Sequence, residues 1–220
     1  MKYLWDLLFP PRCPFCSARL PFGKRGACVI CEKTLPYVEP GNILRKVGKH
    51  TCAVTFYYEK AVRSGIHTFK FGGKVRRARE FAPYLAETVS EVFGGEFDAV
   101  TYVPISEQRR FRRGFDQSRV LAEQCCALWG VEVEHTLRKV RNNPPQSTVK
   151  TAKARQKNVQ NVFRVRNRAA VAGRRFLLID DITTSGSTLA ACADLLLEAG
   201  AVSVVCAALA GARNENVSGI

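Results

Sequence analysis

Apolar and polar positions along this chain switch repeatedly between two periods. Residues 52–58, 99–103, 176–179 and 202–207 are short apolar-rich runs of strand length, the second stopping at Pro104 as a buried parallel strand would. Residues 61–69, 75–93, 117–129 and 188–199 carry apolar side chains at helical spacing. Gly72 and Gly73 separate the first two, Gly130 ends the third and Gly200 the fourth. Alternating strands and helices predict an α/β domain on a mainly parallel sheet with flanking helices. Residues 138–168 break the rhythm. They are basic and polar, contain Pro144 and Pro145, and read as a long flexible loop.

The N-terminal part follows a different pattern. Residues 1–9 cluster Leu4, Trp5, Leu7 and Leu8 in a short helix stopped by Pro10 and Pro11, read as a lid on its own domain, with an interaction handle as the alternative. Residues 12–40 are rich in Cys, Pro and Gly and too poor in apolar side chains for a core of their own, so a metal or disulfides must hold them. Pro40 and Gly41 read as a linker. The expected organisation is a small module over 1–41 and a larger domain over 42–220.

Composition sharpens this picture. The chain has 220 residues, 46% of them hydrophobic, which excludes a mainly disordered polymer. No apolar run approaches the roughly 18 residues of a membrane span, and the N-terminus lacks a secretory pattern. A cytoplasmic location is expected. Thirty-four Lys and Arg against nineteen Asp and Glu give a net charge of +15, which favours polyanionic partners such as nucleic acid, a polyphosphate metabolite or an anionic membrane surface. Nine cysteines, an odd number unevenly spaced, suit a reducing compartment and a metal site better than a disulfide framework.

Four of those cysteines form two C-x-x-C pairs, Cys13 with Cys16 and Cys28 with Cys31. Each turn aims two thiolates at one ion, and two turns complete a tetrahedron. Four soft anionic ligands leave no open coordination position, so the expected role is structural, as in a compact zinc ribbon. Iron in the same geometry is the alternative metal, and a pair of redox-active dithiols the competing explanation. The other five, Cys52, Cys125, Cys126, Cys192 and Cys206, read as core fillers.

The narrowest signal lies over 176–188, where an apolar strand runs into Asp180 and Asp181, then Thr183, Thr184, Ser185, Gly186, Ser187 and Thr188, then a helix. Ligands bind outside the carboxyl ends of strands in open α/β sheets. Amide hydrogens of such a loop, with a helix dipole behind them, cradle an anion, and Gly186 permits close backbone approach. The adjacent carboxylates can accept bonds from sugar hydroxyls. Phosphate cradle and carboxylate pair together describe a ribose 5-phosphate site, the plain alternative being ordinary turn and cap residues. A second apolar run ends at Pro104 and is followed by Arg109, Arg110, Arg112 and Arg113, suited to neutralising a pyrophosphate or to forming a solvated helix start.

The 176–188 stretch resembles the phosphoribosyl-pyrophosphate signature of type I phosphoribosyltransferases. Further segments narrow the resemblance to the ComF family, competence-associated bacterial proteins with a phosphoribosyltransferase-like domain behind a four-cysteine module. These are 13–31, 61–71, Val-Pro-Ile-Ser at 103–106, Arg-Arg-Gly-Phe-Asp-Gln at 112–117, Asn-Pro-Pro-Gln at 143–146 and 173–200. Two positions depart from the family pattern. Ser106 and Glu107 stand where a His is common, and Asp116 replaces an amide, adding a negative charge near the pyrophosphate turn unless it holds a metal or an Arg.

The resemblance implies that Asp180 and Asp181 act as the catalytic pair, that 183–188 hold the 5-phosphate, and that the Arg turn meets pyrophosphate with magnesium. It also implies a role in natural transformation with single-stranded DNA and a helicase-like partner, and makes 138–175 a flexible hood over the site. That hood contains no Asp or Glu, and Lys150, Lys153, Arg155 and Lys157 are its nucleic-acid candidates, favouring phosphate contact over base stacking. Two functions therefore stand side by side: a ligand-binding component of DNA uptake, or an active phosphoribosyltransferase with an unidentified base acceptor.

Overall fold

The structure, a computed structural model, describes residues 10–72, 75–141 and 162–213. The helix expected over 1–9 and the candidates Lys150, Lys153, Arg155 and Lys157 lie outside the described residues. The described strands are β1 (Leu44–Val47), β2 (His50–Tyr57), β3 (Ala99–Tyr102), β4 (Leu137–Lys139), β5 (Phe163–Val165), β6 (Arg175–Thr183) and β7 (Ser203–Gly211). The helices are α1 (Val29–Thr34), α2 (Lys60–Phe71), α3 (Arg77–Phe93), α4 (Glu107–Arg113), α5 (Gln117–Trp129) and α6 (Ser187–Glu198).

Five strands form one sheet in the order β1–β2–β7–β6–β3. All its pairings are parallel except β1 with β2, a tight antiparallel hairpin. Strands β4 and β5 make a separate antiparallel ribbon. The central strand β6 shows why the pattern reads as continuous apolar: Phe176, Leu177, Leu178 and Ile179 are all fully buried because both faces of the sheet are covered. Phe176 and Leu178 join Leu189, Cys192, Ala193 and Leu196 of α6 on one face. Leu177 and Ile179 join α2, α3 and α5 on the other.

The cysteine module shares that second core. Phe15 is fully buried, with its ring 5.7 Å from Phe56, 5.4 Å from Phe81 and 5.5 Å from Tyr84. Arg77 of α3 donates to the Pro14 carbonyl and, at 2.7 Å, to Ser17 Oγ. Gly26 N donates to Glu80 Oε2 at 2.7 Å. Gly65 of α2 faces the module so closely that a Cβ there would lie 2.7 Å from the Pro14 carbonyl oxygen. A segment too small for its own core thus borrows one, and Pro40 and Gly41 form a 3-10 turn running into the domain.

Several elements differ from the pattern reading. Strand β6 runs four residues past Ile179, so Asp180 and Asp181 sit inside a strand. The basic stretch after Trp129 contains β4 and β5, short strands that alternation over three residues could not reveal. The Arg-rich turn is helical over α4. The histidines are engaged: His50 Nε2 lies 2.9 Å from Asp194 Oδ1, His135 Nδ1 lies 2.9 Å from the Tyr102 hydroxyl, and exposed His67 stacks on Phe71 at 4.9 Å. No helix among the described residues is long and apolar enough to cross a membrane.

Candidate functional site

Adjacent parallel strands β3 and β6 send their following helices to opposite faces, α5 to one and α6 to the other. The chain therefore opens a crevice where the two strands part, the usual ligand position in open α/β sheets. Pairing with β3 ends as Val103 N donates to the Ile179 carbonyl at 2.9 Å. Beyond that point β6 carries Asp180, Ile182 and Thr183 alongside β7 alone.

Both carboxylates are buried, Asp180 at 9% exposure and Asp181 at 7%. Asp180 Oδ1 accepts from Ser118 Oγ at 2.7 Å and from the Asp181 amide at 2.8 Å. Burial, reinforced by the Asp181 charge, raises the Asp180 pKa well above the ordinary carboxylate range, against the opposing pull of Ser118 and Lys70. Asp181 Oδ2 faces Lys70 Nζ at 2.6 Å. Lys70 is the penultimate residue of α2, and its neighbour Phe71 lies under the Arg113 guanidinium at 4.9 Å. The end of α2 thus joins the acidic pair to the Arg-bearing helix.

The loop after β6 closes on Gly186, whose φ of 71° is left-handed. A Cβ there would approach Val47 Cγ1 to 2.5 Å, so the β1–β2 hairpin packs directly on this turn. Helix α6 starts at Ser187 behind Gly186, which makes no side-chain cap bond, and Ser187 N donates to Ser185 Oγ at 3.5 Å. Ser185 Oγ and Ser187 Oγ are 2.9 Å apart, and Thr184, Ser185, Ser187 and Thr188 bring hydroxyls to the same helix start. The amide hydrogens of this helix start and the positive end of a three-turn helix dipole suit an oxyanion there.

Helix α4 splits the arginine cluster. Arg109 and Arg113, one turn apart, are half-buried on the inner side, while Arg110 and Arg112 are exposed. Arg113 Nη1 donates to Gln117 Oε1 at 2.6 Å, and the Asp181 charge partly offsets the lowering of its pKa by burial. Asp116, the added negative charge, is spent on structure. Its Oδ2 accepts from Ile105 N at 2.9 Å and its Oδ1 from Arg119 N at 3.3 Å, capping α5 and pinning the turn after β3.

Three contributors escaped the reading of the sequence as site residues. Ser118 looks like an ordinary second residue of α5, Lys70 like one member of a basic patch, and Lys139 lies in a segment read as loop. Lys139 is half-buried with its ammonium 5.2 Å from the Phe163 ring centre. Burial first, then Arg109, lowers its pKa to about 8, with Asp180 and Asp116 opposing. No local pattern could have flagged Ser118 or Lys139, and the one signal for Lys70 was its place in a basic stretch two residues before a Gly pair. A concave space of about 530 Å³ lies beside this crevice, lined among others by Tyr102, Ile105, Arg110, Arg138, Lys139 and Arg166, and not by Asp180 or Asp181.

The four cysteines form a second, closed centre. Cys13, Cys16, Cys28 and Cys31 bring their Sγ atoms within 4.8 Å of one another, with Cys16 and Cys28 at 3.7 Å. A tetrahedral ion with bonds of about 2.3 Å to sulfur sets its ligands about 3.8 Å apart, so the thiols fit such an ion. The amides of Cys28 and Cys31 point at Cys13 Sγ and Cys28 Sγ, at 3.4 and 3.5 Å, an arrangement that stabilises thiolates. The five remaining cysteines are buried.

With this geometry in hand, comparison with known proteins decides the lineage. Residues 115–218 match the phosphoribosyl transferase domain family. The DNA utilization protein YhgH of Escherichia coli strain K12 is 29% identical over 90% of this chain and 96% of its own length. Competence protein ComFC of Bacillus subtilis is 29% identical over 86% of this chain and 72% of its own, and competence protein F of Haemophilus influenzae is 26% identical over 86% and 92%. The chain is similar to these competence and DNA utilization proteins over most of its length. Its α/β domain is phosphoribosyltransferase-like, and a four-cysteine cluster lies ahead of that domain.

Proposed function

We propose that this ComF relative binds phosphoribosyl pyrophosphate, or a related ribose 5-phosphate ligand, at the end of β6. In this reading it works in the cytoplasm in DNA uptake during natural transformation, handling single-stranded DNA with a helicase-like partner. One observation carries the ligand assignment: two buried adjacent carboxylates beside the glycine-led start of α6, at the crevice where β3 and β6 part. The names of the relatives, competence and DNA utilization, support the process.

In this reading the amides and hydroxyls of Thr183, Thr184, Ser185, Gly186, Ser187 and Thr188 hold the 5-phosphate. Asp180 and Asp181 accept bonds from the ribose hydroxyls. Arg109 and Arg113 face the pyrophosphate from α4, with Arg110 and Arg112 adding longer-range positive potential. Lys70 leaves Asp181 for the pyrophosphate as the ligand enters, an exchange of one anion for another. Hard carboxylate oxygens at Asp180 and Asp181 suit magnesium, which when bound would neutralise pyrophosphate charge. Cys13, Cys16, Cys28 and Cys31 hold zinc in a structural role. The test is calorimetry with phosphoribosyl pyrophosphate and magnesium, followed by competition with single-stranded DNA. The wild type should bind, and the double variant Asp180→Asn, Asp181→Asn should not. Equal binding by both proteins would overturn the assignment.

A transferase reading draws on the same acidic pair, because twin carboxylates in a cationic surround also stabilise positive charge developing on a ribose as pyrophosphate leaves. Magnesium-dependent consumption of phosphoribosyl pyrophosphate with a panel of nitrogenous acceptors tests it. Binding without turnover on any acceptor counts against this reading.

A further inference from the structure

Helix α4 has two unlike sides. Arg109 and Arg113 stand one turn apart on its half-buried side, and Phe111, midway between them in sequence, points the opposite way. Phe111 is 94% exposed, the most exposed of the large apolar side chains among the described residues. Its sequence neighbours Arg110 and Arg112 are exposed as well. A phenylalanine left in water on a seven-residue helix with four arginines contributes nothing to the core and works against solubility.

The surroundings extend the pattern. Phe111, Arg110, Glu107 and Gly114 line a shallow depression of about 500 Å³, and three of these, Glu107, Arg110 and Gly114, also line the 530 Å³ space that continues past Arg138, Lys139 and Arg166. The groove carries more cations than carboxylates, with Glu107 beside Arg110 at the end that holds the exposed aromatic ring. Two of its carboxylates are occupied: Glu123 pairs with Arg119 at 2.7 Å, and Asp116 bonds backbone amides.

We propose that this groove is a track for single-stranded nucleic acid in which Phe111 is the stacking platform for an unpaired base, while Arg110, Arg138 and Arg166 follow the phosphates. Exposed aromatic faces flanked by guanidiniums are what an unstacked base and its backbone require together. An acidic protein segment would use the cations and leave the ring without a partner of matching shape. The inference deepens the proposed DNA role and rests on it. It also makes α4 a shared element, with one side turned to the ribose phosphate crevice and the other to the polynucleotide.

The experiment measures fluorescence anisotropy of a labelled oligothymidine and of an abasic oligomer of equal length, across a salt series. Wild type, Phe111→Ala and Phe111→Trp are compared. The wild type should prefer the oligothymidine about five-fold or more, Phe111→Ala should bind both oligomers alike, and Phe111→Trp should keep or strengthen the preference. The salt slope should be the same for wild type and Phe111→Ala, because no phosphate contact is lost. Phosphoribosyl pyrophosphate binding by Phe111→Ala should match wild type, which also shows that the variant is folded. A wild type that binds the abasic oligomer as tightly as oligothymidine overturns the stacking role and leaves the DNA reading standing. A wild type that binds neither oligomer overturns both.

Discussion

The cysteine centre and the β6 crevice are built in opposite ways. The first takes four like ligands from two tight turns within nineteen residues of sequence and closes them around one point. The second assembles Lys70, Ser118, Lys139 and the Asp180–Asp181 pair from four separate elements, and mixes charges that only partly cancel. Local spacing suffices for a soft-metal site because thiolates need only reach one ion. A site for a large hydrated anion needs cations, acids and open amides around a volume, and only a fold supplies those together. The closed centre has the geometry of a structural ion site, and the open one holds buried acids and cations whose charges only partly cancel.

Disrupting the two regions should therefore give different readouts, and the largest effect belongs to the cysteines. Because Phe15 packs into the aromatic cluster with Phe56, Phe81 and Tyr84, removing the metal or making Cys13→Ala should lower the melting temperature of the whole domain in one transition. Metal release should cost on the order of 10 kcal/mol, within the range of structural zinc sites. Scanning fluorimetry with and without chelator, beside metal analysis, checks this. An early local transition with the main melt unmoved would mean that the two parts do not share a core.

Gly186→Ala comes next. It places a Cβ at a left-handed φ and inside contact distance of Val47, so a loss of about 3 kcal/mol is expected, with the β1–β2 hairpin loosened. Denaturant titration reads the loss. A cost below about 1 kcal/mol would show that the hairpin yields freely and that the turn is not held by it.

Lys70→Met leaves Asp181 without its cation and should destabilise the ligand-free protein by about 2 kcal/mol. Adding Asp181→Asn should recover most of that loss, and a double-mutant cycle measures the coupling. Additive losses would place Lys70 outside the acidic pair's balance.

The most diagnostic effect is at Asp180. Its Oδ1 takes both bonds, from Ser118 and from the Asp181 amide, and an Asn oxygen can accept the same two. The folded-state pKa is raised above the unfolded value, to about 8, so the acid's favourable contribution is complete below the unfolded pKa and drains away as pH climbs toward 8. Asp180→Asn should accordingly be more thermostable than wild type by a margin that widens from pH 5 to pH 8. A margin constant with pH would mean that Asp180 is ionised throughout.

Legibility in the sequence followed the same divide. The parallel α/β sheet was readable because β6 and β7 are buried on both faces and their apolar runs are unbroken, with Gly130 and Gly200 closing α5 and α6. The cysteine set was readable from spacing alone. The ribbon of β4 and β5 was not, because three-residue strands such as Leu137–Lys139 are held by pairing and by the burial of Leu137 and Phe163 rather than by any alternation. Nor was the division of the arginines, since Arg109 and Arg110 look alike until α4 gives them different sides. Asp116 is the reverse case: a substitution that reads as electrostatic trouble becomes a helix cap once Ile105 and Arg119 are placed against it.

The rims of the main sheet carry one more consequence. At one end, β1 is four residues long and includes Arg45 and Lys46. At the other, β3 is equally short, and its open side is taken up by the segment after α5, where Glu134 N donates to the Val100 carbonyl at 2.8 Å and Thr101 Oγ1 donates to the Glu134 carbonyl at 2.8 Å. Neither border offers a long bare ladder of peptide groups, so the sheet resists extension by a foreign strand. Recognition by this chain is thereby steered toward side chains, and away from self-templated stacking with its own copies.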